Sequence, residues 1–111
     1  MHEDLTVEKN KKLTIPATVF SKAGLTGTVK VITDSNKENE FYIVGEDFVG
    51  NFEEFKSFEL AEDGSLQFGI GKLFENIKVG DTVSVDVYKS KIIVYNTQDT
   101  APKAVPAAEQ K

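Results

Sequence analysis

The feature that most constrains this chain is a pattern written twice. KLTIPATVFSKAGLTGTVKVI starts at Lys12, and SLQFGIGKLFENIKVGDTVSVDV starts at Ser65. Leu13 falls on Leu66, Ile15 on Phe68 and Pro16 on Gly69. After a one-residue insertion, Val19-Phe20 falls on Leu73-Phe74 and Thr28-Val29-Lys30-Val31 on Thr82-Val83-Ser84-Val85. Each copy then runs into a second apolar stretch, EFYIV or KIIVY. A repeat of about 53 residues predicts two related halves packed around an approximate two-fold axis. The 111 residues suit one compact domain, or two half-domains sharing a core.

The apolar spacing is mostly that of strands. TVKVIT (28–33) places Val29 and Val31 on one face and Ile32 on the other, and EFYIV (40–44) is rich in branched and aromatic residues. The polar run DSNKENE joins them, so a hairpin with a loop longer than two residues is expected. TVSVDVY (82–88) and KIIVYN (91–96) predict a tighter second hairpin, and KLTI (12–15) and SLQF (65–68) read as short strands. Two segments read as helical. Pro16 fits a first helical turn, with Thr14 or Ile15 as cap and Gly24 as the left-handed stop. EDFVGNFEEFKSF (46–58) spaces Phe48, Phe52 and Phe55 along one helical stripe, predicted to be core, although Gly50 weakens that helix. The expected fold is therefore mostly β with short helices, a small β-barrel built from two halves of one chain. Residues 1–10 are expected to be a flexible N-terminus and 46–62 an acidic helical connector between halves at 11–45 and 63–96. Residues 97–111, with Pro102 and Pro106 and little that is bulky, are expected to be a disordered tail.

Composition removes whole classes of chemistry. Without cysteine there is no disulfide, thiolate nucleophile or thiolate metal site. The one histidine, His2, lies close to the N-terminus, so neither histidine catalysis nor a metal centre is expected. The carboxylates are many, but no cysteine or Gly-rich phosphate loop accompanies them to give one a role, and GIGKLFEN lacks phosphate-loop spacing and reads as a turn; no enzyme activity and no cofactor are expected. MHEDL is not a signal sequence and no apolar run has membrane-spanning length, which makes the cytoplasm the expected location.

Charge is distributed unevenly. The net charge is −5, yet residues 5–33 hold Lys9, Lys11, Lys12, Lys22 and Lys30 against Glu8 alone, whereas residues 34–64 hold ten acids against two lysines. An acidic chain can thus present one positive face. All thirteen basic residues are lysines. Lysine acts as a mobile point charge and lacks the bidentate fork with which arginine reads guanine.

The stretch LTIPATVFSKAGL…GTVKV…FYIVG resembles the swapped-hairpin domain of AbrB-type regulators and MazE-type antitoxins: a strand, "IP", a short helix and a hairpin. IKVGDTVSV (77–85) supplies the "GD" turn of that pattern in the second copy. The resemblance covers about residues 12–44 and 65–95, and in tandem it implies a monomeric pseudo-dimer, or a homodimer. It also implies that basic residues before "IP" and in the short helix face DNA, which here means Lys9, Lys11, Lys12 and Lys22, with Lys30 nearby. Phe20 and Ser21 stand where the family tends to carry arginines, and the second copy has Phe74, Glu75 and Asn76 there. The expected function is a small nucleic-acid-binding regulator gripping the DNA backbone through lysines of the first half. Two alternatives stay open: a protein-interaction module that binds a basic partner through the acidic segment, and a small RNA-binding β-barrel.

Overall fold

The computed structural model describes residues 2–34, 39–50, 52–74 and 76–96. The first strand, β1 (His2–Thr6), is followed by a one-turn 3-10 segment over Lys9–Lys11. Then come β2 (Lys12–Ile15), helix α1 (Ala17–Ala23), β3 (Thr28–Thr33) and β4 (Glu40–Gly45). The rest of the chain supplies β5 (Glu53–Glu59), β6 (Leu66–Gly69), β7 (Thr82–Tyr88) and β8 (Lys91–Asn96). The fold is mostly β, as the period-two spacing predicts. Among the described residues no helix is long and apolar enough to cross a membrane.

Six strands form an antiparallel sheet in the order β1-β7-β8-β4-β3-β5, and β2 pairs with β6 in a separate ribbon. The sheet is open, with β1 and β5 at its two edges, and does not close into the expected barrel. Exchanging the halves (β1 for β5, β2 for β6, β3 for β7, β4 for β8) leaves the strand order unchanged. The register obeys the same exchange: Val29 faces Gly45 in one hairpin as Val83 faces Asn96 in the other, and Ile32 faces Tyr42 as Asp86 faces Ile93. The connecting backbone follows suit. Val7 N–H donates to the Asp81 carbonyl and Leu60 N–H to the Gly27 carbonyl, both at 2.8 Å.

One face of the sheet is the core side. Val29, Val31, Phe41, Ile43, Val83, Val85, Ile92 and Val94 point inward, against Leu13 and Ile15 of β2, Leu66 and Phe68 of β6, and Val19, Phe20 and Ala23 of α1. Phe41 lies near the centre, edge-on to Phe68 at 5.9 Å and tilted on Phe74 at 5.2 Å. The ribbon and the helix thus cover the inner face. The outer face carries Ile32, Tyr42, Val44 and Ile93 as a second apolar group, with Phe48 folded over it.

Three expectations change. Residues 2–6 are an edge strand fastened to β7 and not a loose terminus. The stretch 53–59 is strand β5, because β3 otherwise leaves a row of backbone donors and acceptors unpaired, and pairing with β5 satisfies them. Phe52 and Phe55 are consequently 40% and 37% exposed, and neither joins the main core. Pro16 caps α1 from outside with extended backbone, so the helix starts one residue later than expected. In the second half, the amides of Leu73 and Phe74 both donate to the Ile70 carbonyl, so GIGKLF forms the turn its sequence reads as. The expected tail at 97–111 lies outside the described residues.

Candidate nucleic-acid interface

The predicted lysines occupy three places. Lys9 and Lys11 lie in the one-turn segment between β1 and β2 and Lys12 opens β2, and all three are exposed. Asn10 and Lys11 adopt left-handed backbone, φ 65° and 57°, which turns the chain sharply. The loop is closed by reciprocal backbone bonds between Glu8 and Lys12, at 2.7 and 3.3 Å. Glu8, the acid in this stretch, accepts from Gln67 Nε2 at 2.9 Å, and Gln67 also donates to Thr14 Oγ1. Among the described residues no carboxylate lies within 4.0 Å of the Lys9, Lys11 or Lys12 ammonium.

The second half completes this neighbourhood. Lys12 pairs with Gly69 in the ribbon, and Ile70 N–H donates to the Lys11 carbonyl at 2.9 Å. The Lys11 side chain runs beside Gly71, where a Cβ would sit 3.3 Å from Lys11 Cδ. The next residue is Lys72, also exposed. Sequence reasoning read GIGK as a turn, which it is, but missed the lysine it brings to Lys11. The pairing of the two related strands, KLTI with LQFG, was the signal that could have found it.

Lys22 belongs elsewhere. It lies in the last turn of α1, where a cation suits the helix dipole, and Ser90 N–H donates to the Ala23 carbonyl at 2.7 Å. That bond sets Lys22 beside the β7–β8 turn that carries Lys89. Lys30 is on the outer face of β3, partly buried, with its ammonium 3.9 Å from Glu54 on β5. The structure therefore brings together Lys9, Lys11, Lys12 and Lys72, and gives Lys22 and Lys30 other neighbours.

The exchange of halves places an opposite charge at the equivalent loop. Lys9-Asn10-Lys11-Lys12 corresponds to Glu62-Asp63-Gly64-Ser65, with Gly64 (φ 89°) taking the left-handed position of Lys11. Ser65 donates to Asp63 from both its hydroxyl, at 2.7 Å, and its amide, which holds the Asp63 carboxyl below its ordinary range. One loop is a cationic rim and its counterpart an anionic one. Among the described residues no group of three histidine, cysteine or acidic side chains is placed to hold a metal ion. No protein-family model matches the chain, and a search of curated proteins finds no match.

Proposed function

We propose that this chain is a small nucleic-acid-binding regulator of the AbrB type, its two swapped-hairpin halves fused in tandem as a monomeric pseudo-dimer around a shared core. It grips the phosphate backbone through Lys9, Lys11 and Lys12, joined by Lys72. The observation that carries this reading is the exposed run of lysines around the Glu8–Lys12 turn, with no carboxylate partner among the described residues. Exchange of strands between the halves supports the fused arrangement: β1 pairs with β7, and β5 with β3. Because the equivalent loop is Glu62-Asp63, each molecule offers one phosphate-facing rim, where a symmetric dimer would offer two. Lys22 adds to binding only where the duplex extends past the ribbon, and Lys30, paired with Glu54, adds least. The reading places the protein in the cytoplasm and assigns it no catalytic step.

Lysine point charges against phosphates give binding that is modest, nearly blind to sequence and steeply salt-dependent. Anisotropy titrations with a labelled DNA duplex, and with single-stranded RNA, at about 50 and 200 mM salt test this, with a log–log slope of roughly −3 to −4 expected for three or four contacts. Replacing Lys9, Lys11 and Lys12 by Gln should flatten the slope by about three. No binding to either nucleic acid at the lower salt, or an unchanged slope in the triple variant, would overturn the proposal.

A further inference from the structure

The outer face of the sheet carries a cavity of about 350 Å³ that takes no part in the lysine rim. Its floor is Ile32, Val44 and Ile93, and its walls are the rings of Tyr42, Phe48 and Phe52. Tyr42 and Phe52 meet edge to face, 5.6 Å between centroids at 65°, and Phe48 and Phe52 are tilted at 42° and 6.0 Å. Three rings set at angles to one another form an aromatic corner of the wall. Gly50 makes that corner possible. A Cβ there would lie 2.9 Å from Phe48 Cε2 and 3.3 Å from Phe52 Cδ2, so any side chain would push the rings apart.

The rim of the cavity is acidic. Glu40 and Asp34 both line it, and the Tyr42 hydroxyl donates to Glu40 Oε1 at 2.8 Å. Burial, then the bond to Glu40 and the charges of Glu40 and Asp34, push the Tyr42 hydroxyl up to about 12, so it stays protonated and keeps donating to Glu40. Lys91 also lines the cavity, but its ammonium stands over the Tyr88 ring, 5.6 Å from the centroid, and Tyr88 is not part of the wall.

We propose that this aromatic, acid-rimmed cavity binds a quaternary methylammonium group. Ring faces attract cations, and most strongly cations that shed water cheaply. A bare lysine ammonium is strongly hydrated and pays to enter an apolar corner. A trimethylated nitrogen is broad and weakly hydrated, so it fills the corner while the carboxylates balance its charge. Two sources share this chemistry, a trimethyl-lysine side chain on a protein partner and a small free cation of the choline kind. The site stands independently of the nucleic-acid reading, because it uses the face of the sheet turned away from the β2–β6 ribbon.

The test is an amide-resolved NMR titration of the full chain with choline, with its neutral isostere 3,3-dimethylbutan-1-ol, and with a short trimethyl-lysine peptide. Choline should move the amides of residues 42, 48 and 52, and the isostere should bind about fivefold more weakly or worse. Phe52→Ala, at a ring already 40% exposed and therefore tolerated by the fold, should weaken choline binding by a similar factor, and so should Glu40→Gln. A peptide binding tighter than choline identifies a protein partner as the source; equal affinities identify a small cation. Both outcomes support the site. Equal binding of choline and the isostere would show a merely apolar hollow and overturn the proposal. Shifts absent at tens of millimolar ligand, or unaffected by Phe52→Ala in a variant with wild-type circular dichroism, would do the same.

Discussion

At His2 two carboxylates converge on one imidazole. Nδ1 lies 2.6 Å from Asp86 Oδ1 and Nε2 lies 3.1 Å from Asp4 Oδ1. Carboxylates only accept, so both contacts are satisfied together when both ring nitrogens carry protons. The bond to Asp86, opposed by partial desolvation and aided by Asp4, raises the His2 pKa above its ordinary 6.5. Asp4 in turn accepts from the Ser84 hydroxyl at 2.7 Å and titrates below its ordinary 3.8. The signs follow by linkage. The histidine contribution is complete below 6.5 and fades as pH rises through the raised value; the Asp4 contribution is present above 3.8 and fades on acidification. Strand β1 is thus held best in mildly acidic solution, between those limits. Hydrogen-exchange protection factors of the β1 amides should rise from pH 8 to pH 5.5, and His2→Gln should remove the rise. Identical protection at both pH values in the native chain would show that the imidazole does not fasten the strand.

Among the elements, β5 and the turn that begins at Ile70 show how neighbours choose a conformation. EDFVGNFEEFKSF has the phenylalanine spacing of a helix, yet a helix there would place Gly50 in its interior and leave β3 unpaired on one side. As a strand, 53–59 pairs along β3 with a register shift between Val31 and Ile32, and sends Phe58 against Phe68 at 5.0 Å. The turn that begins at Ile70 delivers Phe74 to the core, and Ile77, whose amide donates to the Phe74 carbonyl, is buried there too, as α1 delivers Phe20 and Ala23. Phe74 is 3% exposed and Phe55 37%. Phe74→Ala should therefore cost about 3–5 kcal/mol and Phe55→Ala about 1 kcal/mol or less in urea unfolding. A Phe55 loss matching that of Phe74 would contradict the placement of β5.

At the scale of the molecule, neither half has a sheet of its own. Without its counterpart the first half keeps the β3–β4 pair, while β1 and β2 lose their partners β7 and β6. An isolated hairpin is marginal in water, so stability resides in the pairing of the halves. Fragments 1–50 and 51–111 should each be unstructured alone at low micromolar concentration and recover strand signal in circular dichroism when mixed in equal amounts. The intact chain should unfold in one cooperative transition. A fragment that folds by itself would show that the strand exchange is decoration on two independent units.

The sequence by itself determined the hairpins, the inward positions and the start of the candidate site. Val29 and Val31, or Val83 and Val85, announce their face because a strand alternates strictly, and the run Lys9-Asn10-Lys11-Lys12 is basic in any conformation. Only the tertiary structure decided that 2–6 and 53–59 become the edges of one sheet, that Lys72 comes beside Lys11 while Lys30 pairs with Glu54, and that Phe48 and Phe52 close a cavity on the outer face. Alternation and charge are properties of neighbouring residues and can be read locally. Edge pairing, ion pairing and ring contact depend on which distant segment arrives, and the cost of leaving a backbone edge unpaired settles that for the whole sheet at once.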